Sequence, residues 1–347
     1  MGDTTHIEWT DATWNPVTGC TRVSPGCVNC YIDWAPPFRV EGRHFTDRDG
    51  NRSHAIGATT GVRLHPDRLD WPLRKRSWRG KRVFVCSLAD LFHDDVPDEY
   101  IARVFAVMAL TPEVTYQVLT KRPARMRALL SSPDFHWRVW HGLLTASHAA
   151  MLTIPPYVTA HFHGGARLGE RHMTPLPNVW LGVTVEDQER ADQRIPILLD
   201  TPAAVRWLSC EPLLGRVALG TCRRHRNGSI HDNGYGECAD CHVLDGWEGK
   251  YRRIDWVVAG GESGPGARPM HPDWARSLRD QCRDAGVPFL FKQWGDLVTE
   301  EHPPFDARVR IYALRSAPMA DLRAWLDVAE RGWTEQLTAF AEHLRST

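Results

Sequence analysis

The sequence predicts an α/β fold: a TIM-like full or partial (β/α) barrel with inserted loops and a small zinc-ribbon-like insertion. Three observations carry that expectation. Short apolar runs rich in β-branched residues recur along the chain, each stops abruptly at polar or glycine residues, and helical patterns lie between them. Counting residues 13–18 as the first strand gives about seven runs, which favours a barrel. A doubly wound sheet is the competing architecture, and strand order separates the two.

Taken in order, residues 13–18 lead directly into a loop carrying Cys20, Cys27 and Cys30. Residues 35–80 form a long excursion rich in Pro, Gly and Arg, expected to be irregular with short helices. The second strand spans 82–90 and is followed by a helix over 97–110, where Ile101, Val104, Phe105 and Met108 recur at intervals of three and four. The third spans 115–122. An insertion over about 135–177 then carries His136, His141, His148, His161, His163 and His172, with no ligand spacing among them. Strands over 178–187 and 205–212 precede a second insertion, over about 216–253. The sixth strand spans 254–263. A helix over 272–285 repeats Trp274, Leu278 and Cys282 at four, with Gly286 as its C-cap, before the last strand at 287–294. The barrel is thus expected over 1–299, with a C-terminal helical extension over 300–347.

Composition narrows the function. With 347 residues, 42% of them hydrophobic, the chain buries a large core. Lys plus Arg equals Asp plus Glu at 42 each, so any polyanion site has to be local. No secretory leader or membrane-length apolar run is visible, which predicts a cytoplasmic protein without membrane contact. Nine cysteines in a reducing compartment then point to metal ligation or buried thiols.

Three thiols within eleven residues are one short of a closed tetrahedral set. Thiolates favour zinc or iron–sulfur clusters, and a 4Fe-4S cluster held by three cysteines leaves one iron open to a ligand. The alternative at this triad is zinc completed by a distant His or Cys. In a barrel, the functional groups sit at the carboxyl ends of strands. Those ends supply Ser87 and Asp90, Lys121 with Arg122, Thr184 with Glu186 and Asp187, Ser209 with Glu211, Gly260, Gly261, Glu262 and Ser263, and Lys292 with Gln293.

At these residues the chain resembles the radical S-adenosylmethionine superfamily, in which a cysteine triad after the first barrel strand holds a 4Fe-4S cluster. More closely, it resembles an uncharacterised phage and mobile-element family with a three-cysteine motif. The matching pieces lie between about residues 7 and 295: Trp14-Asn-Pro-Val-Thr-Gly-Cys20, Gly26-Cys-Val-Asn-Cys-Tyr31, Ser87-Leu-Ala-Asp-Leu-Phe-His93, Leu119-Thr-Lys-Arg-Pro123, Val179-Trp-Leu-Gly-Val183, Ser209-Cys-Glu-Pro-Leu-Leu214, Gly260-Gly-Glu-Ser263 and Phe291-Lys-Gln-Trp-Gly295. The spacing differs from the superfamily's C-x3-C-x2-C, being C-x6-C-x2-C here. The resemblance implies Cys20, Cys27 and Cys30 as cluster ligands and S-adenosyl-L-methionine as cosubstrate. Ser87 and Asp90 are then expected at its amine, and Gly260, Gly261 and Glu262 at its adenosyl group or the substrate, with Thr184, Glu186 and Ser263 beside them. A reductant protein is implied as electron donor, with a neighbouring-gene product as a candidate partner. The expected substrate is a nucleic-acid base or nucleotide.

Further chemistry is expected elsewhere. Lys121 and Glu211 are candidate catalytic groups. Cys86 and Cys210 are candidate hydrogen donors, with small apolar core as the alternative. Cys222, His225, Cys238 and Cys241 form two x2 knuckles suited to a structural zinc, an auxiliary cluster being the alternative. The stretch 63–82 interleaves eight cations with Trp71 and Trp78, a pattern suited to a nucleic-acid strand, against the alternative of a solvated basic loop. Two other classes compete: a zinc-containing nucleic-acid-binding protein without radical chemistry, and a metal hydrolase using Asp90, Glu186, Asp187 and Glu211.

Overall fold

The computed structural model describes residues 5, 7–151, 154, 175–219 and 253–297. Its centre is a seven-stranded sheet formed by β1 (Ala12–Trp14), β4 (Arg82–Val85), β5 (Thr115–Thr120), β6 (Val179–Thr184), β7 (Val205–Cys210), β8 (Trp256–Gly260) and β9 (Phe289–Gln293). Every neighbouring pair is parallel, and the spatial order follows the chain order from β1 to β9. A doubly wound sheet reverses its order at a switch point. This sheet never reverses, and it curls into a half-barrel, a partial (β/α) barrel.

Side chains alternate across a strand, and the alternation here separates two cores. The outward residues Val83, Val85, Tyr116, Val118, Leu181, Val183, Leu208, Cys210, Val257 and Ala259 pack in the layer that includes the helices. The inward residues Phe84, Trp180, Val205, Trp207, Trp256, Val258 and Leu290 pack with Trp9 in the hollow of the sheet, with Ile7 and Leu119 against them. Trp207 stacks on Trp256 with centroids 4.7 Å apart and planes 13° apart, and Trp9 lies 5.1 Å from Trp207. A Cβ on Gly182 would lie 2.4 Å from Trp207 Cε2, so only glycine lets the indole lie over β6. The segment before β1 is part of this filling: Gln117 Nε2 on β5 donates to the Trp9 carbonyl at 3.1 Å.

The helices cover the outer face. Helix α3 (Asp98–Leu110) begins with Asp98 and Glu99, which suit the positive end of the helix dipole. It is buried on nearly all sides because α5 (Pro133–Ala149) packs over it. Helix α4 (Pro123–Leu130) lies between them in sequence, and α6 (Gln188–Asp200) is capped by Asp187 Oδ1, which accepts from Arg190 N at 2.9 Å. Helix α7 (Pro272–Asp284) buries Ala275, Leu278 and Cys282, and Gly286 after it has a φ of 65°.

Two expectations need correction. The first strand is not continuous over 13–18. Pro16 has no N–H for the ladder, so β1 stops at Trp14, and Val17–Thr18 (β2) pairs antiparallel with Arg63–Leu64 (β3) in a separate ribbon. The excursion over 35–80 holds two short helices, α1 (Pro36–Val40) and α2 (Trp71–Arg74). The insertion expected from 135 begins instead as α5, a regular crossover helix capped by Ser132. Buried His136 in α5 is hydrogen-bonded to the Leu130 carbonyl at 2.9 Å. The remaining histidines of that stretch beyond 154, the Cys222, His225, Cys238 and Cys241 set, and the tail over 300–347 lie outside the described residues.

Candidate metal centre at the barrel mouth

The inward register continues past the tryptophans into polar residues. On β6 the inward positions run Trp180, Gly182, Thr184. On β7 they run Val205, Trp207, Ser209, and on β8 Trp256, Val258, Gly260. Extending each strand by its period of two places Lys121, Glu186, Glu211 and Glu262 at the carboxyl mouth.

The cysteine loop is laid across this mouth and tied to four strand ends. At β4, Gly19 N donates to the Leu88 carbonyl at 2.9 Å, and the Tyr31 hydroxyl donates to the Ser87 carbonyl. At β5, Arg122 Nη2 donates to the Thr21 carbonyl at 3.2 Å, and its Nη1 reaches Cys20 Sγ at 3.8 Å. At β6, Glu186 Oε1 accepts from the Ser24 hydroxyl and from Gly26 N. Beyond β8, Glu262 Oε2 accepts from Asn29 Nδ2 at 3.0 Å, while Arg268 bridges Glu262 to the Pro25 carbonyl at 2.9 Å. Cys27 is buried, and Cys20 and Cys30 are half-buried against Phe38, Phe45 and Leu88.

Charges at the mouth are tightly arranged. Asp90 accepts from Thr120 Oγ1 at 2.7 Å and from Phe92 N, and its second oxygen takes Lys121 N and Arg122 Nη1, both at 3.0 Å. Glu186, fully buried, meets Arg194 Nη1 at 2.8 Å, and Arg194 also donates to the Thr184 carbonyl. Burial alone would push the Glu186 carboxyl up. Lys121 and Arg194 outweigh it and hold the group below the usual carboxylate range. Glu262 follows the same pattern, burial being outweighed by hydrogen bonds from Arg268 and Asn29. Burial pushes the Cys20 thiol up to about 12 and the Cys30 thiol up to about 11; Cys20 also feels the thiols of Cys27 and Cys30, and Cys30 that of Cys27.

The fit to a metal group follows from this donor set. Three soft sulfurs share one loop, and guanidinium and ammonium groups stand ready to offset thiolate charge. Among the described residues no group of three His, Cys, Asp or Glu side chains is placed to hold a metal ion. Three loop thiolates would each take a different iron of a four-iron cluster.

The other expected residues fall as follows. Ser87 Oγ is engaged with Asn15 Nδ2 at 3.0 Å, and Asp90 is saturated by its four partners, so neither presents a free group for an amine. Thr184 Oγ1 accepts from Lys121 Nζ at 3.3 Å. Glu211 pairs with Lys292 Nζ at 3.0 Å and accepts from Ser209 Oγ. Ser263 Oγ accepts from Gln293 Nε2 at 2.6 Å. A Cβ on Gly261 would lie 1.8 Å from the Trp294 carbonyl, so this glycine serves the close approach of the β8 and β9 ends. Gly260 faces Glu211. Cys86 and Cys210 are buried in the outer apolar layer, with thiols pushed up by burial, and no hydrogen-donor role is carried forward for them.

In the basic stretch, Trp78 is fully buried and Trp71 is packed on the core. Lys75 Nζ lies 5.0 Å from both ring centres. Arg63, Arg74, Arg79 and Arg82 each pair with a carboxylate. Lys75 thus covers both rings from within the chain, Trp78 being buried and Trp71 half-buried.

Sequence reading missed Ser24, Asn29, Arg194 and Arg268. Arg194 sits on α6 and Arg268 in a Gly-rich turn, where an arginine ordinarily signifies solvent exposure. Only the fold brings them to the carboxylates.

Fold and site together define a parallel partial barrel with a three-cysteine loop seated on its carboxyl mouth. The chain belongs to the family described as a protein of unknown function, DUF5131, whose match spans residues 4–335. No curated protein and no solved structure matches it. Among the described residues no helix is long and apolar enough to cross a membrane.

Proposed function

We propose that the protein is a radical S-adenosylmethionine enzyme whose 4Fe-4S cluster is held by Cys20, Cys27 and Cys30. The observation that supports this reading best is the seating of three thiols over the mouth of a half-barrel, tied to the ends of β4, β5, β6 and β8. When bound, the cluster and S-adenosylmethionine together supply a reductively generated 5′-deoxyadenosyl radical.

The chain's own residues orient and shield that chemistry. Glu186 and Glu262 fix the loop, while Arg122 and Lys121 bring positive charge to its thiols. The tryptophan floor closes the far end of the hollow to water.

A nucleic-acid base or nucleotide is the proposed substrate, and the mouth supports it better than the 63–82 stretch does. Tyr31 and Trp34 are 53% and 48% exposed and belong to one 3-10 turn directly after Cys30. Residues three apart in a 3-10 helix eclipse, so both rings are offered on one side, as base stacking requires. A structural zinc at Cys222, His225, Cys238 and Cys241, a reductant protein and a neighbouring-gene partner belong to the same proposal.

Anaerobic reconstitution with iron and sulfide, followed by reduction with S-adenosylmethionine, tests it. The expected result is a visible charge-transfer absorption and release of 5′-deoxyadenosine. Stoichiometric zinc at the triad with no such absorption would sink the reading.

A further inference from the structure

Five cations stand around the cysteine loop. Four are matched: Arg22 lies 3.5 Å from Asp33, Arg122 lies 3.0 Å from Asp90, Arg194 lies 2.8 Å from Glu186 and Arg268 lies 2.7 Å from Glu262. Lys121 is different. Its ammonium has three protons to donate, and its hydrogen bond among the described residues goes to neutral Thr184 Oγ1 at 3.3 Å. Its main chain is pinned by Asp90, which also holds Arg122 against Cys20. By register Lys121 follows Gln117 and Leu119 on the inward face of β5, so its stem is directed over the tryptophan floor toward the loop.

We infer that the Lys121-Arg122 pair at the end of β5 sets the reduction potential of the centre held by Cys20, Cys27 and Cys30, Lys121 supplying a charge that, among the described residues, has no carboxylate in ion-pair contact. The inference rests on the function proposed above. Three thiolates around a 4Fe-4S core of charge +2 leave a net charge of −1, and one electron from a low-potential donor makes it −2. A fixed cation favours that second state, and net charge and hydrogen bonds at the sulfurs are the levers by which proteins tune such centres. Lys121 is charged before and after the step, so the electron enters without a proton. The attraction of Lys121 to the Cys27 and Cys30 thiolates and to Glu186 outweighs the cost of its burial and raises its pKa, in keeping with that role. Lys121 and Arg122 are thus positioning residues acting through the cluster.

Anaerobic redox titration followed by electron paramagnetic resonance measures this directly. Lys121→Met is expected to assemble iron and sulfide as the wild type does, yet to shift the reduction equilibrium about tenfold toward the oxidised form, about 59 mV more negative for one electron. Lys121→Arg is expected to restore the wild-type potential. Should the methionine variant take up no iron, Lys121→Gln, which keeps a polar head against Thr184, carries the same comparison. Equal potentials in a fully loaded neutral variant and the wild type would overturn the inference while leaving the proposed function intact. A wild type that assembles no cluster would instead remove the proposed function, and the inference with it.

Discussion

The two ends of the half-barrel share the same strands and the same inward register, yet they are chemically opposite. The amino end is filled by Trp9, Trp180, Trp207, Trp256 and Phe84, with no titratable group in the cluster. Two to six residues further along the same strands, the inward positions carry Lys121, Thr184, Glu186, Glu211 and Lys292, joined by ion pairs and hydrogen bonds. The floor gains its stability from area and close packing, which no single polar partner controls. The mouth depends on pairwise partners brought from segments more than 150 residues apart, as in Ser24 with Glu186 and Asn29 with Glu262. Damage to the floor should therefore be paid in global stability, and damage to the mouth in local order of the cysteine loop.

The largest expected effect is in the floor. Trp207→Ala removes a fully buried indole that touches Trp9, Trp256 and Gly182, and truncation of a core aromatic costs about 3–5 kcal/mol. Urea unfolding followed by tryptophan fluorescence should show the unfolding free energy falling by that amount. At temperatures where the variant stays folded, alkylation rates of Cys20 and Cys30 should match the wild type. A loop that becomes freely reactive in this variant would show that the two ends are one cooperative unit.

The contrast also explains what could be read from the sequence. The strands were legible because each apolar run is bounded by polar residues, and β4 to β9 fall within the expected stretches. The first strand was misplaced at Pro16, where one missing N–H outweighs an otherwise extended pattern. Helix α5 was hidden because its histidines read as loop polarity, although Phe135, Val139 and Leu143 carry a helical face. At the mouth, the cysteines and polar strand ends were visible as residue types. Their pairing was not, since Glu262 in a Gly-Gly-Glu segment looks like a ligand group until Arg268 and Asn29 are seen to occupy it.

A smaller, more local effect is expected from Glu186→Gln. The side chain keeps its shape and can still accept from Ser24, but Arg194, 7% exposed, loses its counter-charge. Breaking a buried pair by neutralising one member costs about 3–5 kcal/mol when nothing compensates. Thr184's carbonyl still accepts from Arg194 here, which places the expected cost near about 2–3 kcal/mol on the scale for a lost charged hydrogen bond. Hydrogen exchange should rise at residues 24–30 far more than at residues 205–209. Uniform acceleration in both segments would contradict a locally acting latch.

The smallest effect separates the two ends by pH alone. Burial, reinforced by the nearby Arg122, holds the His93 imidazole below its ordinary value of 6.5, against the opposing pull of Asp95, Asp90 and Asp94. Its Nε2 meets Thr21 Oγ1 at 2.8 Å, so it touches the cysteine loop. The unfolded chain therefore binds a proton near pH 6.5 that the folded mouth refuses, and stability present above that pH is lost as pH falls toward the folded value. Glu186 and Glu262, both held below 4.5, add a second loss that starts near that pH and grows as pH falls toward their folded values. The tryptophan floor contains nothing that titrates in this window. Exchange protection should accordingly fall in two steps at residues 20–30, one below about pH 6.5 and one below about pH 4.5, while the floor strands hold their protection until the second step. His93→Gln should abolish the first step and leave the second, and persistence of both steps in that variant would assign the first to another group.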